Sequence, residues 1–137
     1  WAQERTNPIP VYAEMGSVNP VILSPHSLQS HKKNIAEQIA QSLTLHAGQY
    51  CTNPGLVLAI QDSALDEWKK MLIEHISSVT PQRMLHKGIW DRYHDLVIAR
   101  LRHPLVKTNY FSDQLLEGCA MPVLAEIQAQ DFLKNIW

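Results

Sequence analysis

One cysteine in the sequence lies where a tight loop could hold a reactive thiolate. Cys51 follows Gly48 and precedes Gly55, and glycine permits backbone angles that can turn a side chain towards a cleft. A thiolate is a strong nucleophile for a carbonyl carbon, and backbone N–H groups in such a loop can stabilise the oxyanion that its attack creates. Because free cysteine is among the most buried residue types, a small apolar core residue is the competing interpretation of Cys51. Cys119 has no comparable surroundings.

An acidic residue upstream is the candidate general base. Glu14 follows the apolar residues 11–13 and precedes Met15-Gly16, so it is expected at the end of a strand. Active sites in α/β folds gather at the carboxyl ends of strands. A carboxylate in a partly apolar cleft can take a proton from a thiol or from water. The alternative is a solvated charge at the strand end.

The segments that would position these two residues alternate between strands and helices. Short apolar pieces on either side of a Gly-Ser-Val-Asn-Pro break predict strands over 11–13 and 21–23. Apolar residues at helical spacing predict an amphipathic helix over Ser30–Leu45, with Ser30 as its N-cap. The run 46–55, with its glycines and proline, predicts a loop, and 56–60 a strand.

The second half continues this alternation. Apolar residues on one face predict helices over 65–79, ended by Pro81, and over 89–101, ended near Pro104. The remaining predictions are strands over 110–111 and 123–127 and a short helix over 131–137. Together these elements predict one α/β unit with a largely parallel sheet.

Composition argues against several classes of protein. The 137 residues carry 12 basic and 13 acidic side chains, a net charge of -1, so no overall positive field attracts nucleic acid. The apolar stretches fall far short of the about 20 residues that a membrane-spanning helix needs, so no membrane partner is expected. Two cysteines are too few for a disulfide framework, which predicts a reducing, cytoplasmic location.

Seven histidines raise the question of a metal site. His86, His94 and His103 lie in or beside the third predicted helix, but their separations of eight and nine residues do not give an i, i+4 pair of ligands. No Cys-x-x-Cys motif accompanies them. We therefore expect no bound metal.

Two motifs, in this order and separated by one predicted helix, resemble those of the aldehyde dehydrogenase superfamily. In that family a strand ending in Glu-Leu-Gly-Gly-Lys-Ser/Asn-Pro carries the general base, and Gly-Gln-x-Cys carries the nucleophile. Here residues 14–20 are Glu-Met-Gly-Ser-Val-Asn-Pro and residues 48–51 are Gly-Gln-Tyr-Cys. The resemblance covers nearly the whole chain, extending to Met121-Pro122-Val123-Leu124, which is similar to a Pro-Thr/Ala-Leu strand of the family.

The departures from the common motifs indicate a branch of the superfamily. Ser17 and Val18 replace the second glycine and the lysine, and Thr52-Asn53-Pro54-Gly55 follows the cysteine. This combination is similar to the branch that contains 2-oxoglutarate semialdehyde (2,5-dioxovalerate) dehydrogenases and NADP-linked fatty aldehyde dehydrogenases. His46 stands where that branch leads us to expect glycine.

The resemblance implies both a fold and a reaction. The fold is a three-layer α/β sandwich with a mostly parallel sheet, in which residues 1–137 are part of the catalytic domain and the cofactor-binding domain lies upstream of residue 1. Cys51 would form a thiohemiacetal and then a thioester with an aldehyde, and Glu14 would activate the hydrolytic water. NAD or NADP would accept the hydride in the full-length enzyme, which is expected to be a homo-oligomer.

The resemblance also implies that the isolated chain is inactive. The family's glutamate that holds the nicotinamide ribose is expected after Trp137, and the dinucleotide site is expected before Trp1. We therefore expect a fragment that binds no cofactor by itself. A second function class stays open, namely a self-standing α/β remnant or binding module without turnover. An activated Cys51 would react with thiol reagents faster than Cys119 near neutral pH, which separates the two.

Overall fold

The computed structural model describes residues 2–12, 18–112 and 116–134. Within these ranges the strands are β1 (Pro20–Leu23), β2 (Leu56–Ala59), β3 (Gln82–Arg83), β4 (Lys107–Tyr110), β5 (Cys119–Ala120) and β6 (Leu124–Glu126). The helices are α1 (Pro25–Thr44), α2 (Ser63–Ser77), α3 (Lys87–Leu101) and α4 (Ala129–Lys134). A 3-10 turn, Leu45–Gly48, follows α1 directly. No helix in the described ranges is both long and apolar enough to span a bilayer.

The first two strands form the parallel pair that positions the cysteine loop. Pro20 of β1 lies opposite Leu56 of β2, and Leu23 lies opposite Ala59. Parallel neighbours need a crossover connection, and α1 supplies it. The loop that contains Cys51 therefore lies between the end of α1 and the start of β2.

The core lies between the two long helices and one face of this parallel pair. The largest fully buried side chains are Leu28 of α1 together with Leu72 and Ile76 of α2, and Trp68 of α2 is 2% exposed. Leu23 of β1 joins the same cluster. Burial of such side chains contributes about 1.5–3 kcal/mol each, so α1, α2 and β1 form the stable base of the cysteine loop.

The opposite face of the β1–β2 pair is apolar and uncovered by the described residues. Ile22 and Leu58 are partners in the register, and their exposed fractions are 78% and 45%. Alternate residues of a strand point to opposite faces, so the neighbours Val21 and Leu23 pack against the helices while Ile22 does not. The two helices therefore cover one side of this sheet.

The predicted start of the first helix is wrong by one and a half turns. The helix begins at Pro25, and Ser24, not Ser30, is the N-cap. The Ser24 hydroxyl accepts a hydrogen bond from the backbone N–H of Ser27 at 3.1 Å. Pro25 suits the first helical position because its missing N–H would have no intrahelical partner there. Ser30 lies inside the helix, one residue before a kink at His31.

The prediction of a largely parallel sheet is confirmed only for the first pair. The described strands form three two-stranded sheets, of which β1–β2 is parallel while β3–β5 and β4–β6 are antiparallel. No helix lies between β4 and β6, and a parallel pair would need a crossover connection such as a helix. β3 and β5 have α3 between them and still pair antiparallel, over two residues each. Periodicity did not predict β3 or β5, because each has only two residues.

The other predicted elements vary in outcome. The helices over 65–79 and 89–101 are confirmed as α2 and α3, and the strands near 110 and 124 as β4 and β6. The short terminal helix is α4, and residues 135–137 of that prediction lie outside the described residues. The predicted strand over 11–13 is wrong for Val11 and Tyr12, which are exposed and lie outside regular secondary structure, while residue 13 lies outside the described residues.

Candidate active site

Cys51 lies on the surface of the loop between the 3-10 turn and β2. Neither cysteine forms a disulfide, and Cys51 is exposed whereas Cys119 on β5 is partly buried. Within the described residues, Cys51 is therefore not part of the apolar core. A thiol in this position is accessible to a substrate in solution.

The backbone that leads into this loop has an uncommon conformation. His46, Ala47 and Gly48 have φ angles of 48°, 57° and 71°, three consecutive residues in the left-handed region. A residue other than glycine pays roughly 1–2 kcal/mol to adopt this conformation. Such strain persists only where surrounding contacts impose it. The glycine that the branch resemblance leads us to expect at position 46 fits this geometry, since glycine adopts positive φ readily.

Gly48 is required for a second reason, a close approach of two polar groups. A Cβ atom at this position would lie 3.0 Å from Nδ2 of Asn53 and 3.2 Å from the carbonyl oxygen of Leu43. That amide nitrogen donates to the same carbonyl at 3.0 Å. Leu43 lies in the last turn of α1, where carbonyl groups lack intrahelical partners. The Asn53 amide therefore satisfies the helix end and joins it to the cysteine loop.

A second asparagine connects the loop to the start of β1. Nδ2 of Asn19 donates to the carbonyl oxygen of Cys51 at 2.7 Å and to that of Asn53 at 3.1 Å. Asn53 N–H in turn donates to the carbonyl of Tyr50 at 3.1 Å, closing a turn around Cys51. The last part of the first motif is thus in direct contact with the second motif.

The side chain of Gln49 stabilises the loop from both ends. Its Nε2 donates to the carbonyl of His46 at 3.0 Å, and its Oε1 accepts from the backbone N–H of Leu85 at 3.0 Å. The rings of His46 and Tyr50 meet edge to face, with centroids 4.8 Å apart. These contacts hold the strained turn against the segment that follows α2.

An apolar cavity of about 260 Å³ lies beneath the loop. Gly48 and Gln49 line one side and Gln82, Tyr93 and Met121 line another. The Tyr93 hydroxyl donates to the carbonyl of Met121 at 2.6 Å, and burial raises the pKa of this phenol. Cys51 is not among the residues that line this cavity.

The other predicted site residue cannot be placed. Glu14 lies outside the described residues, so its role as a general base stays a prediction. The structure instead adds Asn19, Asn53 and Gln82 as side chains that hold the loop carrying Cys51, the last through the N–H of Ala47. Each asparagine precedes a proline and then a strand, a sequence signal for a turn. That signal contains no information about the carbonyl groups on which the amides act.

The three histidines considered as metal ligands have structural contacts. The His86 side chain caps α3 by accepting from the N–H of Ile89 at 3.3 Å, and Nδ1 of His103 accepts from the N–H of Leu105 at 3.3 Å. His94 stacks on Trp90 at 5.5 Å. In the part of the chain that the structure describes, no three His, Cys, Asp or Glu side chains form a group that could hold a metal ion.

The described residues do not fit a dinucleotide cofactor. A dinucleotide site typically uses a glycine-rich turn between a strand and a helix, where the helix N-terminus receives the pyrophosphate. After β1 this turn is Ser24-Pro25, and after β2 the N-cap is Asp62, whose carboxylate accepts from the N–H of Leu65 at 2.8 Å. The negative charge of the Asp62 carboxylate at this helix N-terminus would repel a phosphate. Among the residues that the structure describes, the turns after β1 and β2 therefore offer no place for the pyrophosphate of NAD or NADP.

Comparison with known proteins places the chain in a family. The model of the aldehyde dehydrogenase family matches residues 2–89, which include β1, α1, the cysteine loop, β2 and α2. A protein named alpha-ketoglutaric semialdehyde dehydrogenase 2 from Azospirillum brasilense is 46% identical over 133 residues, covering 96% of this chain and 25% of that protein. An alpha-ketoglutaric semialdehyde dehydrogenase from Acinetobacter baylyi (strain ATCC 33305 / BD413 / ADP1) is 39% identical over 100 residues, covering 73% of this chain and 19% of that protein.

The chain belongs to the aldehyde dehydrogenase family. The resemblance deduced from the two motifs is therefore confirmed, and the names of both relatives agree with the branch that the departures indicated. The chain spans about a quarter of the length of the first relative and about a fifth of the second.

Proposed function

We propose that this chain is the part of an aldehyde dehydrogenase catalytic domain that carries the nucleophile Cys51 and the general base Glu14. The hydrogen bond from Asn19 to Cys51 is the observation that carries the proposal. It brings the end of the first family motif to the second, as a shared site requires. Membership of the family and the exposure of the Cys51 thiol support the same conclusion.

The proposed chemistry divides between the two side chains. The Cys51 thiolate attacks the aldehyde carbon, forming a carbon–sulfur bond and an alkoxide, and loss of hydride from that carbon leaves a thioester. The hydride acceptor, NAD or NADP, belongs to the remainder of the longer enzyme, because the described residues do not fit it. Glu14 then takes a proton from a water molecule while the oxygen of that water attacks the thioester carbon. The carbon–sulfur bond breaks, so the Cys51 thiolate leaves as the carboxylic acid forms.

The proposed substrate is 2-oxoglutarate semialdehyde. Both relatives are named for this aldehyde. The same aldehyde is the substrate of enzymes in the branch that is indicated by Val18-Asn19-Pro20 and Cys51-Thr52-Asn53-Pro54-Gly55. We further propose that the longer enzyme is a homo-oligomer in the cytoplasm. Neither cysteine forms a disulfide, which supports a reducing compartment, where disulfides are rare.

We also propose that the complete domain is a three-layer sandwich. In the described residues α1 and α2 cover one face of the β1–β2 pair, whereas Ile22 and Leu58 leave an apolar face on the other side. An apolar sheet face is stable only when another layer covers it. The remainder of the longer enzyme would supply that layer.

Replacing Cys51 in the full-length enzyme tests the proposal. We expect Cys51→Ala to abolish aldehyde oxidation, with NAD(P) affinity measured by fluorescence titration nearly unchanged. Cys119→Ala is the matched control, because Cys119 is likewise outside any disulfide but lies on β5. Turnover by Cys51→Ala at the wild-type rate would exclude Cys51 as the nucleophile. The 137-residue chain alone should reduce no NADP with any aldehyde.

A further inference from the structure

A glutamine 35 residues beyond the strained turn holds the turn in place. Oε1 of Gln82, on β3, accepts the backbone N–H of Ala47 at 2.9 Å. In the opposite direction, the N–H of Leu85 donates to Oε1 of Gln49 at 3.0 Å. We call these two hydrogen bonds the glutamine bridge. It joins the turn before Cys51 to the segment that begins at β3.

The partner segment is itself anchored. β3 pairs antiparallel with β5, with Gln82 opposite Ala120, and the N–H of Met84 donates to the carbonyl of Gly118 at 2.9 Å. The carbonyl of Cys119 next to that pair also accepts from Nε1 of Trp90 at 3.0 Å. Gln82 therefore projects from a backbone that hydrogen bonds hold on its other side.

The turn borders a partly open cavity of about 260 Å³. Ala47, Gly48 and Gln82 all line this cavity. On the side that faces the cavity, the turn lacks the side-chain contacts of a close-packed interior. With two non-glycine residues at positive φ, directed hydrogen bonds therefore contribute to holding the turn.

We infer that Gln82 is a positioning residue for Cys51, acting through the N–H of Ala47. This inference rests on the proposed function, because it assumes that the location of the Cys51 thiol matters for turnover. Ala47 lies four residues before Cys51, and two successive hydrogen-bonded turns connect them, from the carbonyl of His46 to the N–H of Gln49 and from the carbonyl of Tyr50 to the N–H of Asn53. A displacement of about 1 Å in a reacting group can cost about a hundredfold in rate, so loosening the turn reduces the rate of thiolate attack.

Hydrogen exchange on the 137-residue chain tests the contact itself. Gln82→Met keeps the length of the side chain and its lining of the cavity but removes the acceptor. We expect the amides of 46–51 to exchange about tenfold faster in this variant, the effect of losing one net hydrogen bond, while α2 is unchanged. Gln82→Glu retains an acceptor oxygen and should exchange like the wild type. Gln41→Met is the matched control, because Gln41 bonds only within α1 to Glu37 in the contacts described.

Kinetics of the full-length enzyme test the positioning role. We expect Gln82→Met to lower kcat about ten- to hundredfold with little change in the KM for NAD(P), and Gln82→Glu to restore most of it. Unchanged exchange over 46–51 in Gln82→Met would overturn the inference. Faster exchange with an unchanged kcat would overturn it too, because Gln82 would then be structural only.

General loosening of the fold by Gln82→Met and failure of the Cys51 assignment can both be told apart from the results above. If exchange rises throughout Gln82→Met, including α2, Gln82→Asn provides the same test, since it withdraws the acceptor by one methylene and keeps the amide. If Cys51→Ala retains turnover, the proposed function fails and with it the role in catalysis, whereas the exchange data still decide whether Gln82 holds the turn.

Discussion

Asn19 donates both hydrogens of its side-chain amide to the cysteine loop, to the carbonyl oxygens of Cys51 at 2.7 Å and Asn53 at 3.1 Å. Asn19 immediately precedes β1, and Asn53 lies three positions before the start of β2. The two strands pair in parallel from Pro20 and Leu56 onward, so their amino ends are adjacent. The contact between the two family motifs is therefore a consequence of strand pairing.

Asn19→Asp should damage this contact specifically. The carboxylate has the shape of the amide but presents an acceptor to two carbonyl oxygens, so both hydrogen bonds are replaced by repulsion. We expect the free energy of unfolding to fall by about 1–3 kcal/mol, measured by urea denaturation, and kcat of the full-length enzyme to fall with it. Asn34→Asp adds the same charge at an exposed position of α1 and is the control. Equal effects of the two substitutions would contradict the role assigned to Asn19.

Gly48→Ala should destabilise the protein more than Gly118→Ala, although both glycines have a positive φ angle. Gly118, with φ 76°, matches the φ of 71° at Gly48, but no described atom lies within 4 Å of a Cβ placed there. Both substitutions cost roughly 1–2 kcal/mol because each places an alanine at a positive φ angle. Gly48→Ala also displaces the Asn53 amide from the carbonyl of Leu43, which adds about 1 kcal/mol. Thermal unfolding of both variants measures the difference, and a cost for Gly118→Ala as large as that for Gly48→Ala would argue against the close approach.

An ion-pair network between α2 and the β4–β6 pair should make stability depend on pH under acid conditions. Glu126 on β6 lies 2.7 Å from Nζ of Lys107 and 2.9 Å from Nζ of Lys69, and Lys69 also pairs with Asp66 at 2.9 Å. Hydrogen bonds from Lys107 and then Lys69 lower the pKa of Glu126 from 4.5 to about 2.

Because the folded-state pKa of Glu126 is depressed, its contribution is complete above pH 4.5 and is lost as the pH falls towards 2. For a partly exposed network we expect about 1–2 kcal/mol over this window. Glu126→Gln should reduce the loss of stability between these pH values, measured by urea denaturation at several pH values. Glu74→Gln, at an exposed position of α2, is the control. An unchanged pH profile in Glu126→Gln would contradict the assignment.

The first helix offers a comparison between two serines six residues apart. Ser24→Ala removes the oxygen that accepts from the N–H of Ser27, and loss of an N-cap costs about 1 kcal/mol. Ser30→Ala, inside α1, should be neutral or slightly stabilising because alanine has the higher helix propensity. Chemical denaturation of the two variants measures both effects. A larger loss for Ser30→Ala would return the N-cap to the position that periodicity alone predicts.

Several elements were predictable because their signals are local. The row of apolar residues that ends before Pro81 predicted α2, and the row that ends before Pro104 predicted α3. Both predictions were possible because helical periodicity and proline act within a few residues along the chain. Ser24 was missed as the cap because the first turn of α1 has few apolar residues on one face before Leu28. Its signal was instead Ser24-Pro25, a cap followed by proline at the first helical position.

Taken alone, the sequence determined the family, the order of its two motifs, the alternation of the long helices with β1 and β2, and the candidate nucleophile Cys51. It could not determine that the amides of Asn19 and Asn53 and the side chain of Gln82 hold the loop that carries that cysteine, nor that β3–β5 and β4–β6 pair antiparallel. Helix periodicity and turn residues act between near neighbours, whereas these three side chains bind groups 10–35 positions away along the chain. Their partners are backbone groups, which are chemically alike at every residue, so only the packing of α1, α2 and the strands decides which ones meet.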